Sequence, residues 1–321
     1  MRLVDPLRYA CDAATAFGAD VRVLDDNGYL IRISVNDRSI VLGAGPVSPF
    51  FINNATAVSI ARDKGFSSTT FTDRGLPAIP GEVFFAHSRR AALRAPGREA
   101  ADALAHAARL GFPVFAKPCT GARGNYAEVV RDAAALEDYI GRLAVDFEAF
   151  LIQPVVQGVE HRVLIHDGRS IFHAVKQPAA LTGDGVSTLS ALLDRLNAGF
   201  PGSGLSPWPA SVIADEPQRI LAAGERFSLP GRRNLSAEGD IASFSTEVPP
   251  VLHALARDAV AAVGLRFGAV DIFDVSPRSD LGDLLIIEVN GNPGLRTLEL
   301  AGRSDIIREI WTDMLRESLG T

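Results

Sequence analysis

The sequence predicts an α/β (α+β) protein made of several small units, and three observations lead to that prediction. Helix-type and strand-type hydrophobic patterns alternate along the 321 residues without repeats or low-complexity stretches. The composition, 47% hydrophobic and 22% charged, is that of an ordinary globular protein long enough for two or three small domains. Gly75 and Pro77 end the first run of elements, which places a domain boundary near residue 76.

The first unit is predicted to be a small α/β domain over residues 1–75. The hydrophobic pattern indicates a helix over residues 6–17 and three short strands within residues 19–42, with a turn at the segment DDNG. Residues 53–75 follow as helical material that ends at Gly75.

The second unit is predicted over residues 76–155. In order, the pattern predicts an extended stretch at 76–85, a helix at 98–110, strands at 112–118 and 127–130 around a glycine-containing loop, a helix at 133–143 and a strand at 149–156. Such a packet of strands and two helices is compact enough to move as one body.

The third unit is predicted over residues 156–321. It contains strands at 161–168 and 170–179, a polar and proline-rich excursion at 178–247, an amphipathic helix at 249–263, strands at 267–275 and 283–290, and a C-terminal helix at 304–318.

Charge and cysteine content exclude several classes of function. The formal net charge is −6, and no dense Lys/Arg block with interleaved aromatics occurs, so nucleic acid and anionic membranes are poor partners. No apolar run approaches about 18 residues, and the N-terminus does not read as an export signal. Cys11 and Cys119 lack the spacing of a disulfide scaffold or zinc site and are expected to be small buried apolar residues. We therefore expect a cytoplasmic protein.

The last two strands carry three oxygen-donor side chains. Glu288 and Asn290 project to one face of their strand, about 7 Å apart at about 3.3 Å per residue. If the two strands pair as antiparallel neighbours through the turn at 276–283, Asp271 lies beside Glu288. Carboxylate and amide oxygens without His or Cys suit a hard cation such as Mg²⁺. The alternative interpretation is that these residues merely end the strands, with Asn290 in an Asx-type turn before Gly291.

Five segments occur in the order found in the ATP-grasp ligases: KPCTGARG, LIQPVVQGVEHRVLIHDG, TGDGVSTLSALLDRLN, RRNLSAEGD and AVDIF…IIEVNGNPGL. From about residue 56 to residue 296 the chain resembles this superfamily and looks most like the ATP-grasp part of cyanophycin synthetases and bifunctional glutathione synthetases. The resemblance implies an ATP-grasp fold of three small α/β subdomains with ATP held between two of them. Residues 76–155 would be the central lid, and residues 156–321 the subdomain with the metal site. Neither flanking catalytic domain of those relatives is visible in the sequence, so a stand-alone ligase is expected.

The resemblance assigns nucleotide-binding roles. Lys117, at the end of an apolar strand, would reach the ATP phosphates, and the loop with Gly121 and Gly124 would fold over them; alternatively, the lysine could extend to solvent. Lys64 matches an earlier nucleotide lysine but lies on a polar helix face, where a solvated role is the alternative.

The segment that follows the second unit matches the part of the family that binds adenosine. Backbone groups from Gln153 to Val155 and Val156 would read the adenine edge, and Glu160 would bind the ribose. The pattern departs from the family at Gln153 and Pro154, and proline has no amide proton to donate.

The remaining assignments concern the transferred group and the metal. Lys176 matches a phosphate or acyl-phosphate contact, Arg162 and Arg232 or Arg233 would stabilise the transferred phosphoryl group and the oxyanion, and Arg296 would contact a substrate carboxylate. Each arginine could instead be a surface charge. Asp271, Glu288 and Asn290 would hold the metal. His161 and His173 could face the cleft, although structural roles are the preferred interpretation.

The resemblance implies an ADP-forming carbon–nitrogen ligase that joins a carboxylate and an amine through an acyl phosphate, acting on amino acids or short peptides. ATP and Mg²⁺, or Mn²⁺ in its place, are the expected cofactors, with two ions, and a homo-oligomer is expected from family habit. Two alternatives remain open: a non-catalytic ATP-binding or regulatory module, and a phosphotransferase that needs no amine acceptor.

Overall fold

The computed structural model describes residues 3–122, 124–199, 207–229 and 240–321. Its strands form four antiparallel sheets, and helices cover them as the alternating pattern predicts. None of the helices in these residues is long and apolar enough to cross a membrane.

The N-terminal elements form a three-stranded sheet backed by one helix. Its elements are α1 (Asp5–Ala16), β1 (Asp20–Val23), β2 (Leu30–Val35) and β3 (Arg38–Gly43), with the strands in the order β1-β2-β3. The inward side chains Ile31 and Ile33 are fully buried, as alternation along a half-buried strand requires. The prediction of one helix and three strands here is confirmed.

This N-terminal sheet shares its core with the end of the chain. Helix α9 (Ser304–Leu319) packs against α1, and the fully buried Trp311 stacks on Phe50 with ring centroids 5.4 Å apart. One hydrophobic cluster therefore contains residues from both ends of the sequence.

Residues 82–154 form a four-stranded sheet with its own core. The elements are β4 (Glu82–Phe85), α4 (Ala100–Leu110), β5 (Val114–Pro118), β6 (Glu128–Val130), α5 (Ala133–Leu143) and β7 (Ala149–Pro154), with the strands in the order β4-β7-β5-β6. Helix α4 begins with a capping box between Glu99 and Asp102, and Asp132 caps α5 through the Ala135 amide. Phe84, Tyr139 and Phe150 fill the space between the sheet and the helices. We call this body the small sheet.

The largest sheet has five strands. They are β8 (Val159–His166), β9 (Arg169–Gln177), β12 (Asp240–Ser245), β13 (Phe267–Asp274) and β14 (Leu284–Asn290), in the order β12-β9-β8-β13-β14. Helices α2 (Ala55–Arg62), α3 (Lys64–Asp73) and α7 (Pro250–Ala262) pack on one face of this main sheet. The opposite face packs in part against the core shared by both ends of the chain, through residues such as Leu164 and Phe267, and in part lines a cavity. Helix α8 (Arg296–Leu300) follows β14.

The polar excursion at 178–247 contains more structure than its composition indicates. Its described parts include β10 (Ala180–Thr182) paired with β11 (Arg226–Ser228), helix α6 (Leu189–Ala198) and strand β12, the edge strand of the main sheet. Leu189, Leu193 and Ile213 belong to a small core of its own. Strand β12 lies at the edge of the main sheet, and its Phe244 packs against Phe172 with ring centroids 5.3 Å apart.

Candidate active site

The candidate residues converge on one cavity between the small sheet and the main sheet. Its volume is about 1060 Å³. Every described candidate residue lines it: Lys64, Lys117, Gly121, Gly124, Gln153, Val155, Val156, Glu160, Arg162, Lys176, Asp271, Glu288, Asn290 and Arg296. Arg232 and Arg233 lie outside the described residues. Residues from positions 64 to 296 are thus brought together by two sheets that face each other.

The predicted pairing of the last two strands is confirmed. Strands β13 and β14 are antiparallel, Asp271 lies directly opposite Glu288, and Asn290 lies opposite Ala269. The Asn290 amide nitrogen donates to Glu288 Oε1 at 3.2 Å. Within the described residues, no cluster of three or more His, Cys, Asp or Glu side chains is suited to a metal ion, so the amide of Asn290 is needed as the third oxygen ligand of the candidate set.

Asp271 is held by two cations on the neighbouring strands. Arg162 donates from Nε and Nη2 to the two carboxylate oxygens at 2.8 and 2.7 Å, and Lys176 Nζ lies 3.0 Å from Oδ2. Lys176 also donates to Glu160 Oε1 at 2.5 Å. Burial disfavours the charged form of Asp271, but Arg162 and Lys176 outweigh that penalty and lower its pKa to about 2.

The sheet register explains this cluster. Arg162 pairs with Asp271 between β8 and β13, and Glu160 pairs with Lys176 between β8 and β9, so all four side chains project from one face. Arg162 and Asp271 are 109 positions apart in the sequence, and strand periodicity could not show that their strands are neighbours.

Two lysines approach the site from the other side. Lys117 ends β5 and is only 5% exposed, which contradicts the alternative of a side chain that extends to solvent. Burial lowers the pKa of Lys117 to about 8, against the opposing effect of the Glu288 charge. Lys64, at the start of α3, donates to the Gly121 carbonyl at 3.1 Å and lies 3.7 Å from Glu288 Oε2. The Lys64 side chain therefore spans the cavity from the glycine loop to the main sheet.

The glycine loop joins β5 to β6. Gly124 has φ of 69°, in the left-handed region that glycine adopts without strain. The Lys64 amide donates to the Cys119 carbonyl at 2.8 Å, so the start of α3 is bonded to the start of this loop. Loop and helix therefore present Lys117, Lys64 and the loop backbone to the same part of the cavity.

Gln153 connects the two sheets. It is 3% exposed, and its Nε2 donates to the Ile79 carbonyl at 3.0 Å. The Ile79 amide in turn donates to the carbonyl of Ile286, two residues before Glu288, at 3.0 Å. The strand next to the predicted adenine segment is thus tied to the strand that carries the predicted metal ligands. The sequence pattern did not reveal this link, because Ile79 lies in an irregular connection.

Arg296 starts α8 beside a network that fixes this helix to α1. Glu299 accepts hydrogen bonds from Arg8 Nη2 and from the Tyr9 hydroxyl, both at 2.8 Å. Hydrogen bonds from Tyr9 and Arg8 lower the pKa of Glu299. In the part of the chain that the structure describes, no carboxylate lies within ion-pair distance of Arg296, which leaves its charge available to an anionic ligand.

His161 and His173 lie on the face of the main sheet away from the cavity, so the idea that they face the cleft is wrong. Strand alternation sets His161 with the buried Val163 and Ile165, opposite to Arg162. The two imidazoles stack, with His161 Nδ1 and His173 Nε2 2.8 Å apart. Burial and the neighbouring His173 lower the pKa of His161 to about 4. The preferred structural role of this pair agrees with its packing.

The two cysteines differ in exposure, which leads to a chemical prediction. Cys119 is buried as expected, but Cys11 is only partly buried. Burial raises the pKa of Cys119 to about 12, so its thiolate fraction at pH 8 is about one in ten thousand. We expect iodoacetamide to modify Cys11 in the native protein at pH 8 while Cys119 reacts only after unfolding. Peptide mass spectrometry with and without urea measures this order, and equal native rates would contradict the burial of Cys119.

No protein-family model matches the chain. It is 27% identical over 258 residues to a cyanophycin synthetase of Geminocystis herdmanii, an alignment that covers 74% of this chain and 28% of that protein. It is 26% identical over 299 residues to a glutathione biosynthesis bifunctional protein of Enterococcus faecalis, covering 87% of this chain and 38% of that protein. The chain thus spans well under half the length of these relatives.

Solved structures share the fold. A bifunctional glutathione synthetase from Pasteurella multocida matches with a TM-score of 0.52 at 16% identity, over 97% of this chain and 44% of that chain. A D-alanine–D-alanine ligase from Bacillus anthracis matches with a TM-score of 0.52 at 14% identity, over 83% of this chain and 71% of that chain. The predicted mixed α/β ATP-grasp fold is thereby confirmed. Sequence likeness and fold together support the resemblance to the ATP-grasp ligases that the sequence motifs indicate.

Proposed function

We propose that this chain is an ADP-forming carboxylate–amine ligase that makes an amide bond through an acyl phosphate. One observation carries the proposal: a single cavity between two sheets gathers five cationic side chains and a set of oxygen ligands. A volume of about 1060 Å³ lies at the upper end of the range of about 300–1,000 Å³ usual for ligand pockets, which gives room for a nucleotide.

The nucleotide is assigned to the side of the cavity that is built by the small sheet. Lys117 and the loop with Gly121 and Gly124 would contact the phosphates, with Lys64 as a second cation. Val155 and Val156, after β7, would present backbone groups to the adenine edge, and Glu160 would accept hydrogen bonds from the ribose.

A divalent cation is assigned to Asp271, Glu288 and Asn290. These residues fit a hard cation because they offer two carboxylates and one amide oxygen at paired positions of β13 and β14. When bound there, Mg²⁺ or Mn²⁺ would neutralise phosphate charge during the transfer. A second ion is proposed from the family resemblance.

The reaction would proceed in two displacements without a covalent protein intermediate. A substrate carboxylate oxygen attacks the γ-phosphorus of ATP, and the bond to the bridging oxygen breaks to release ADP. The amine nitrogen then attacks the acyl carbon, phosphate leaves and the nitrogen loses a proton. Arg162 and Lys176, which line the cavity beside Asp271, are proposed to balance charge on the transferred group, as is Arg232.

Water must be kept from the acyl phosphate, and residues 76–155 are proposed to act as the lid. The small sheet has its own hydrophobic core, so it can move as a body, and it carries the glycine loop on the side that faces the main sheet.

The substrates are proposed to be amino acids or short peptides. The names of two similar proteins mention glutathione biosynthesis and the ligation of D-alanine to D-alanine, and these compounds belong to this class. Arg296, which has no described ion-pair partner, is the residue proposed to bind an anionic group of one substrate.

The proposal is tested by measuring ADP release from Mg·ATP across a matrix of amino acids and dipeptides, offered singly and in pairs, with mass spectrometry of the products. We expect ADP formation to require both a carboxylate and an amine and to yield a condensed product. ADP formation with a carboxylate alone, giving a phosphorylated product, would favour the phosphotransferase. ATP binding without turnover across the matrix would favour the binding module.

A further inference from the structure

The carboxylate assigned to the metal is already neutralised by the protein. Asp271 is 2% exposed, and both of its oxygens accept hydrogen bonds from Arg162. Lys176 adds a second cation at 3.0 Å and also contacts Glu160. Two cations and two carboxylates thus form a buried cluster of zero net charge. We call these four residues the counter-ion cluster.

A divalent cation at Asp271 would compete with this arrangement. It would compete with Arg162 and Lys176 for the two carboxylate oxygens, and it would stand within a few ångströms of two positive charges. The cluster also stabilises the fold whenever no metal is bound, because a buried carboxylate without a partner is strongly destabilising. The same two cations that stabilise the unliganded fold therefore oppose the metal.

Arg162 and Lys176 both line the cavity as well as contacting Asp271. Phosphate oxygens entering the cavity can accept their hydrogen bonds without any change of the strands, since the side chains need only turn outward. Asp271 would then lose its counter-ions and become a strong ligand for the cation that accompanies the phosphates. The exchange keeps every buried charge paired at each stage.

We propose that Arg162 and Lys176 are positioning residues whose contacts with Asp271 keep this carboxylate from binding a divalent cation. They release Asp271 when nucleotide phosphates take its place as the partner of the two cations. This inference rests on the proposed function, since it takes Asp271 as a metal ligand and the cavity as a nucleotide site. It goes further than the proposed function because it couples the binding of the nucleotide to the binding of the metal. The protein without nucleotide binds the metal weakly, although its oxygen ligands are already in register.

The test is a titration of the nucleotide-free protein with Mn²⁺, in which the electron paramagnetic resonance signal of free Mn²⁺ measures how much Mn²⁺ has been bound. Removing one counter-ion in Arg162→Gln is expected to tighten nucleotide-free Mn²⁺ binding about tenfold, within the range of about 5- to 150-fold typical of coupled sites. The same variant is expected to bind a non-hydrolysable ATP analogue more weakly in EDTA, because it has lost a phosphate contact. A purely structural salt bridge would not tighten metal binding when it is broken.

Arg266→Gln is the matched control. Arg266 also makes a two-point contact with a carboxylate, Asp167, at 2.7 and 3.0 Å, but neither residue lines the cavity. This variant is expected to leave Mn²⁺ binding as in the wild type. Lys176→Met, which removes the other counter-ion, is expected to tighten Mn²⁺ binding in the same direction as Arg162→Gln and serves if the first variant does not fold.

Mn²⁺-induced stabilisation provides a second readout. In a thermal melt, Mn²⁺ without nucleotide is expected to raise the midpoint of Arg162→Gln more than that of the wild type. Unchanged or weaker Mn²⁺ binding in folded Arg162→Gln and Lys176→Met, or tight nucleotide-free binding in the wild type, would overturn the inference while leaving the ligase proposal intact. Absence of Mn²⁺ binding in all proteins, with the ATP analogue present, would overturn both.

Discussion

Glu288→Gln is expected to reduce Mg²⁺-dependent ADP formation by about 100-fold or more, the loss seen when one preorganised electrostatic contact is removed from a transition state. Glu288 lies opposite Asp271 and 3.7 Å from Lys64. Burial opposes its charged form, but the charges of Lys64, Lys117 and Lys176 together outweigh that effect and lower the pKa of Glu288, so the side chain is an anion at neutral pH. Glutamine keeps the size and an oxygen for the Asn290 amide but removes this charge.

The measurement is ADP formation with the substrates that the matrix identifies, together with calorimetric binding of ATP with Mg²⁺ and in EDTA. Glu288→Gln is expected to lose the Mg²⁺-dependent gain in ATP affinity while retaining binding in EDTA. Glu317→Gln is the control: Glu317 pairs with Arg266 on the surface, and its loss should leave both quantities unchanged. Full Mg²⁺-dependent turnover in Glu288→Gln would remove Glu288 from the metal site.

Asn53→Ala is expected to lower the free energy of unfolding by about 3 kcal/mol, since each buried polar group left without a partner costs about 1–3 kcal/mol. Asn53 Oδ1 accepts from the amides of Arg266 and Phe267 at 2.9 and 3.0 Å. Its Nδ2 donates to the carbonyls of Phe267 and Gly291 at 2.8 and 3.3 Å. One buried side chain therefore joins the loop before α2 to the start of β13 and the end of β14.

Urea unfolding followed by circular dichroism measures this loss. Asn54→Ala is the matched control, because the neighbouring exposed asparagine only caps α2 through the Ala57 amide, at 2.8 Å. Loss of such a cap costs about 1 kcal/mol. Equal destabilisation by the two variants would show that the hydrogen bonds of Asn53 contribute no more than an ordinary helix cap.

Local sequence patterns were enough to predict the bounds of some helices and the pairing of strands that follow each other in the chain. Helix α5 begins and ends at the predicted residues 133 and 143, because Asp132 caps it and its apolar residues repeat at helical spacing. The pairing of Asp271 with Glu288 was predicted for a similar reason, since a short turn between two strands favours antiparallel neighbours. The excursion at 178–247 was understood less well, because its short strands and helix lack long apolar periodicity.

Local patterns could not predict which distant strands and loops contact each other. Asn53 was not singled out, because an asparagine before a helix is ordinary in sequence, and only packing shows that it bonds to β13 and the residue after β14. The counter-ion cluster was also missed, although all four of its members were candidates, because their contacts depend on the order of strands in the main sheet.

The sequence by itself determined the kinds of chemistry available to this protein: a lysine beside a glycine loop, oxygen ligands at strand positions of one face, and cations enough for phosphate. The residue types are read directly from the sequence. The face of a strand on which each side chain lies follows from the alternation of successive side chains, which is a local property. The tertiary structure decided which of these groups meet, placing Arg162 and Lys176 on Asp271 and Lys64 between Gly121 and Glu288. Those contacts join residues far apart in the chain, and their geometry is set by sheet order and core packing, which no local pattern encodes.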